Sequence, residues 1–426
     1  MPSHKGNKGF NKLFPIASID ITEIEDSGLY SSIEKAEKDL KDILGAKFIK
    51  IISSGASVGV LSMVYSVKDS GNSILINRSA HKSVYNALKL SGIEPIICAN
   101  GITDGLPDLP TAEETAKMLD ANKNAIGVLY TYPDYYGRTF DIRAIYNEVK
   151  KRNKLLLIDG AHGGHYAFID NLVYAGEYAD IWVDSLHKTA STLNQGALVL
   201  ANIDKTESLS DAIDIFNTTS PNYPIIASCE YGIKELAKSK KQMKVFCEIV
   251  NGLKEELTNL GVCVVETIDP YKITIDLVKS GINEKSLLTE LDKKKIYFEL
   301  LGGGFITFMP SIKTKKCELI ALKKSILEGL KVKEEIKERE TFSIPKKRVG
   351  YLKSALSESE EVLISDAIGR VSAENAGEFP PCYPLIVCGE VVNKEIAERL
   401  MCAERQGKAF GVKNGKIKVR KIKNER

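Results

Sequence analysis

Seven short apolar runs most constrain the fold: FIKIISS (48–54), SILIN (73–77), EPIICA (94–99), IGVLYTY (126–132), LLLIDGA (155–161), IWVDS (181–185) and ALVLA (197–201). Their hydrophobicity is continuous rather than alternating. Strands of that kind are buried on both faces, which is the pattern of a mostly parallel sheet sandwiched between helices. The stretches between them read as helices. PTAEETAKMLDAN, for example, opens with Pro-Thr and acidic residues and keeps apolar spacings of three to four, as a crossover helix does. The first part of the chain is therefore expected to be an α/β domain.

Beyond it, CEYGIKELAKSKKQMKVFCEIVNGLKEELTNLG (229–261) reads as one long charged helix leading into a smaller α+β unit, with strands at CVVETI and KITIDLV. A charged, Pro-containing connector (331–348) precedes a third segment. The expected divisions are 1–240, 241–342 and 343–426, and the closing KNGKIKVRKIKNER reads as a solvated strand or tail. With 59 basic and 56 acidic side chains in 426 residues, the net charge of +3 is too small for a nucleic-acid groove. No apolar run approaches the roughly 18 residues of a membrane helix, so a soluble, cytoplasmic protein acting on small molecules is expected. The eight cysteines include no Cys-x-x-Cys pair and read as reduced packing residues.

The chain has only five histidines, His4, His81, His162, His165 and His187. All but His4 follow a strand candidate in a Gly/Ser/Ala-rich context. In an open parallel sheet ligands bind beyond the carboxyl ends of the strands, so these four are expected to converge on one crevice. The glycines between His162 and His165 argue against a helical metal-binding pair, no His-Glu-x-x-His is present, and no metal is expected. SGASVGV does not fit the Gly-x-Ser-x-Gly elbow of a serine hydrolase. Lys188, in DSLHKT directly after an apolar strand, instead suits a covalent handle for the aldehyde of pyridoxal 5'-phosphate. Such a site needs a carboxylate for the pyridine nitrogen. Asp159, at the end of a buried strand, needs a positive partner of that kind. The turn SSGAS opens a helix whose Gly55, Ala56 and Ser57 amides are expected to face a phosphate, favoured by the helix dipole. His81 sits where an imidazole stacks on the ring.

Taken in order, PSHKG (2–6), SIDITEI (18–24), SSGAS (53–57), NRSAHKSV (77–84), YPDYYG (132–137), IDGAHGGHY (158–166), DSLHKT (184–189), TTSPNYPIIAS (218–228) and FPPCYPLIVCGE (379–390) make the chain resemble the pyridoxal-phosphate-dependent ornithine/lysine/arginine decarboxylases, in particular the short bacterial members. The resemblance implies the PLP fold type I (aspartate aminotransferase-like) architecture, a mostly parallel seven-stranded sheet with smaller α+β parts. It implies that Lys188 carries the cofactor, Asp159 pairs with its ring nitrogen, His81 covers one face, and Ala161 lies against the other with His162 beside it. Ser57, Ser185 and His187 would serve the phosphate side, and Thr218 or Ser220 would reach the cofactor of a neighbouring subunit in a homodimer or larger oligomer. His187 or Lys188 is the expected proton donor in a decarboxylation of lysine, arginine or ornithine. Glu299 in IYFELLGGG is a candidate for the substrate's distal cation. The chain departs from the pattern at Ala56, where a hydroxyl is common, at Asp134 and Asn194, where threonine is usual, and at Cys382, where glycine is. Other pyridoxal phosphate chemistry, such as transamination, an aldol step or β-elimination, uses the same lysine and aspartate and stays open, as does a divergent, weakly active paralogue.

Overall fold

The computed structural model describes residues 3, 8–20, 29–99, 101–332, 343–378 and 383–421. His4, residues 21–24 of SIDITEI and residues 379–382, Cys382 among them, lie outside the described residues. The seven apolar runs form one sheet: β1 (Phe48–Ile52), β2 (Ser73–Asn77), β3 (Glu94–Cys98), β4 (Ala125–Thr131), β5 (Leu155–Asp159), β6 (Ile181–Asp184) and β7 (Ala197–Ala201), ordered β1-β7-β6-β5-β4-β2-β3. The pairs β3/β2, β2/β4, β4/β5 and β5/β6 are parallel. Only β7 runs against its neighbours β6 and β1. It follows that β1 points the same way as β6, and the carboxyl ends of β1, β2, β4, β5 and β6 share one edge.

Continuous hydrophobicity has the cause expected for it. In β5, Leu156 and Ile158 belong to the apolar core on one face, and Leu157 to the core on the other. All three are 0% exposed, and each such burial stabilises by about 1.5–3 kcal/mol. The crossover helix expected at 110–122 is Ala112–Ala121, its first turn capped by Thr111, whose hydroxyl accepts from the Glu114 N–H.

The helix Ala56–Ser66 lies unusually close to the sheet, because a Cβ on Gly59 would stand 2.9 Å from both Val183 Cγ1 and Val199 Cγ2. Only glycine permits that approach. It brings the amino end of the helix to the carboxyl edge of the sheet.

The long helix expected over 229–261 is two helices, Tyr223–Lys238 and Lys240–Asn259. The break falls at Ser239, whose hydroxyl donates back to the Glu235 carbonyl at 2.7 Å and competes with the helical ladder. A small antiparallel sheet follows, β8 (Ile273–Asp276), β9 (Leu300–Gly302) and β10 (Phe305–Phe308), ordered β8-β10-β9. CVVETI is not a regular strand. It runs beside β8 through one bridge, Val264 to Ile275, before turning to present Asp269. Residues 343–421 carry a separate apolar core around Leu385, Ile396, Leu400 and Val419. The expected solvated tail is the strand Lys416–Arg420, which buries Ile417 and Val419 on one face. Among the described residues no helix is long and apolar enough to cross a membrane.

Candidate active site

At the carboxyl edge of the large sheet lies a cavity of about 490 Å³ lined by Gly55, Ala56, Ser57, His81, Asp159, Ala161, His162, Ser185, His187 and Lys188, together with Ser54, Val60, Ser83, Thr131, Tyr135, Asn194 and Gln195. The sequence-expected residues of the chain's own pocket are therefore brought together. Thr218 and Ser220 are not. They are exposed, bond to each other, and sit beyond Asn217, whose side chain accepts from the Ser54 hydroxyl at 3.1 Å.

Each wall follows from local structure. Asp159 ends β5 and Ser185 follows β6, its register neighbour. Asp159 is 3% exposed. Among the described residues the one hydrogen bond to its carboxylate comes from the Ala161 N–H, at 3.2 Å. A buried carboxylate with so little compensation calls for a cation in the cavity it lines.

Opposite, the Ala56–Ser66 helix starts at Gly55 (φ +89°) with no side-chain cap, which leaves the first-turn amides of Ala56 and Ser57 available to an anion. The expected third amide is not available, because the Gly55 N–H donates to the Gln195 carbonyl at 2.9 Å. This carboxylate, these amides and the Lys188 amine meet the three demands of pyridoxal phosphate for a partner to its ring nitrogen, a phosphate cradle and a bond-forming amine.

His81 caps the helix Lys82–Ser91, its Nδ1 accepting from the Ser83 N–H at 3.3 Å. That bond leaves the ring proton on Nε2. Burial holds the His81 imidazole below its ordinary pKa, opposed by Asp159. Burial lowers His187 likewise, with Lys188 adding to the effect and Glu299 opposing it. Burial also lowers the Lys188 amine, against Asp159 and Glu299. Glu299 is exposed, yet its charge reaches the pocket.

His162 is buried between two amines, with Nε2 3.2 Å from Lys188 Nζ and Nδ1 2.9 Å from Lys272 Nζ. Burial first, then the cations of Lys188 and Lys272, hold it well below the usual histidine range.

The four strand-end histidines do not all converge. His165 is 0% exposed. Its Nε2 meets Asp269 Oδ1 at 2.8 Å and its ring stacks on Tyr271 with centroids 4.0 Å apart. It pins the smaller sheet's leading turn to the large domain rather than lining the cavity.

Asp134, one of the departures from the family pattern, accepts from the Tyr136 and Arg138 N–H groups at 2.9 and 2.8 Å and from Arg138 Nε at 2.7 Å. It thereby shapes the turn that carries Tyr135, whose ring lies 4.9 Å from that of His162. Lys272 and Tyr135 are residues that sequence reasoning did not assign. Tyr135 lies within the YPDYYG motif. Lys272, a lone lysine abutting an apolar strand in YKITID, carried the same signal that singled out Lys188.

Comparison with known proteins bears on the family and the fold. An uncharacterised protein, YaaO, of Bacillus subtilis is 28% identical over 91% of this chain and 85% of its own length. An arginine decarboxylase of Halalkalibacterium halodurans is 25% identical over 92% of this chain and 87% of its own. In structure, the Francisella novicida lysine decarboxylase superposes with a TM-score of 0.80 at 18% identity, over 98% of this chain and 78% of that one. The serine palmitoyltransferase of Sphingomonas wittichii gives 0.60 at 16% identity, over 72% and 79%. The fold is thus PLP fold type I. The sequence profile described as "Orn/Lys/Arg decarboxylase, major domain" matches residues 16–328, and by that match the chain belongs to the Orn/Lys/Arg decarboxylase family.

Proposed function

We propose that the protein is a pyridoxal-phosphate-dependent decarboxylase of a basic amino acid, lysine, arginine or ornithine, releasing CO2 and the corresponding amine. The observation that carries this reading is the meeting of Lys188, Asp159 and the uncapped Ala56–Ser66 helix around one cavity. Family membership and the names of its relatives, arginine and lysine decarboxylases, support the substrate class. When bound, the cofactor supplies an electron sink for the bond broken at the substrate's α-carbon.

The rest falls to the chain. Lys188 holds the cofactor through its amine, and Asp159 keeps a cation at the ring nitrogen. The Ala56 and Ser57 amides hold the phosphate with help from Ser185. His81 and Ala161 confine the ring from its two faces. His187 or Lys188 delivers the proton that replaces CO2, and both stand in the cavity with basicities lowered by burial. Glu299 receives the distal cation of the substrate. Thr218 or Ser220 extends to the pocket of a second copy, which makes the active form a homodimer or larger oligomer.

The test is incubation of the purified protein and cofactor with each amino acid, measuring CO2 release and identifying the amine by mass spectrometry. Cadaverine, agmatine or putrescine with stoichiometric CO2 is expected. A keto acid or ammonia without CO2 would overturn the reading in favour of transamination or elimination.

A further inference from the structure

Lys272 directly precedes β8 and is 0% exposed, yet among the described residues no carboxylate bonds to it. Among the described residues its Nζ has two hydrogen-bond partners, His162 Nδ1 at 2.9 Å and Met309 Sδ at 3.0 Å. Across the same imidazole, Nε2 lies 3.2 Å from Lys188 Nζ. Three nitrogen-bearing groups therefore run in a row from the cavity into the interior. The surroundings are shaped for it. Gly137 (φ +81°) leaves room for the lysine stem, since a Cβ there would stand 2.6 Å from Lys272 Cγ. The turn that carries Lys272 is fixed by Asp269, which accepts from the Tyr271 N–H and meets His165, each at 2.8 Å. AHGGHY and DPYK thus pair twice, His162 with Lys272 and His165 with Asp269.

An ammonium only donates, whereas a neutral imidazole donates from one nitrogen and accepts at the other. Two arrangements with the same proton count satisfy the row. In one, the Lys188 ammonium donates to Nε2 and the Nδ1–H donates to a neutral Lys272. In the other, the Lys272 ammonium donates to Nδ1 and the Nε2–H donates to a neutral Lys188. Ammonium groups at both ends would set a donor against a donor, so the row holds one cation. We propose that Lys272 is a positioning residue that receives the proton of Lys188 through His162, leaving Lys188 Nζ as the neutral, bond-forming amine without a transfer to bulk water. An N–H bond breaks at Lys188 and one forms at His162 Nε2, while the Nδ1–H bond breaks and one forms at Lys272, so protons and charge balance. The charged groups around the row are balanced for such an exchange. Burial pushes Lys272 down to about 8, with Asp269, Glu299 and Asp134 opposing and Lys188 adding to the fall. Burial also lowers Lys188 against Asp159 and Glu299.

The inference rests on Lys188 as the reacting amine, and not on which amino acid is decarboxylated. The test uses the full-length chain freed of cofactor, its fold checked by circular dichroism. Lys188 is methylated with formaldehyde and cyanoborohydride from pH 6 to 10, and its rate is read by peptide mass spectrometry, because only the neutral amine reacts. Lys272→Met removes the receiving end. It is expected to move the Lys188 midpoint up by about one pH unit, a roughly tenfold slower labelling at fixed pH below it. Lys272→Arg fixes a cation against Nδ1 and is expected to move the midpoint the other way. Identical profiles for Lys272→Met and the unmutated protein, or the same shift in both variants, would overturn the proposal. If neither variant folds, ¹⁵N NMR of ring-labelled histidine in the unmutated protein decides. A neutral His162 averaging between two tautomers is expected, and an imidazolium or one fixed tautomer over the same range overturns it. Labelling involves neither cofactor nor amino acid, so its failure and a failure of CO2 release are separable.

Discussion

Glu390→Ala strips a buried cation of its bidentate carboxylate. Arg78 and Glu390, 2% and 5% exposed in their side chains, form a bidentate pair, Nη1 to Oε1 at 2.7 Å and Nη2 to Oε2 at 2.8 Å. Nη2 also donates to the Leu385 carbonyl, and the Val387 N–H donates to Glu390 Oε2, each at 2.8 Å. Removing one side of such a pair leaves an uncompensated buried charge and costs about 3–5 kcal/mol. The pair joins the turn after β2 to the segment 383–392, and the Glu94 carboxylate, which accepts from the Tyr351 and Leu352 N–H groups, is a second tie to the same C-terminal region, so the cost falls on the docking around Glu390 and on the turn from Arg78 to His81. Hydrogen exchange reads local opening without requiring two-state unfolding of the whole chain. At about 1.4 kcal/mol per tenfold, peptides covering 383–392 are expected to exchange roughly 10²–10⁴-fold faster in Glu390→Ala. The double variant Arg78→Met/Glu390→Met leaves no charge behind and is expected to recover most of that loss. Exchange within about threefold of the unmutated protein in the single variant would refute the claim that the pair holds the segment in place.

Lys188→Ala is expected to abolish the visible absorbance of bound cofactor while circular dichroism stays the same; an unchanged absorption spectrum would remove the role given to that amine. Asp159→Asn is expected to lower kcat for CO2 release by roughly a hundredfold or more, and a loss of less than threefold would show that its charge is not used. Burial raises the Asp184 carboxyl to about 7, with Tyr174 and Trp182 opposing. Because the folded pKa lies above the unfolded one, the folded state binds more protons between about pH 4 and 7. Its stabilising contribution is therefore complete below about pH 4 and is lost as pH rises through 7. Asp184→Asn is expected to flatten that part of the stability curve, measured by urea melts at pH 5 and 8 with the fluorescence of Trp182, the chain's one tryptophan; equal slopes would count against it.

The seven strands were legible because their apolar residues pack into the cores on both sides of the sheet, so composition alone marks them. The pocket residues on strand ends were legible for a related reason, since Asp159 and Lys188 are ionisable groups placed where the surrounding pattern is apolar. What escaped depends on contacts between distant segments. Nothing near His165 in sequence says that Asp269, 104 residues away, will take its imidazole out of the cavity. Nothing near Lys272 says that it will meet His162. The break at Ser239 turns on one hydroxyl choosing a carbonyl four residues back, and the loss of the Gly55 amide to Gln195 on a loop that motif reading treats as empty. Local chemistry is written in local sequence; its pairing is decided by the tertiary fold.

Gly59 has a further consequence for ligand choice. The helix that offers its amides to an anion rests its backbone on the methyl groups of Val183 and Val199, two residues of the sheet that also delivers Lys188. On the proposed function, anion cradle and amine would then be the two jaws of one caliper. Aldehydes whose negative end and carbonyl are spaced differently from the gap would not seat both, and so would be sorted by length before any bond is made.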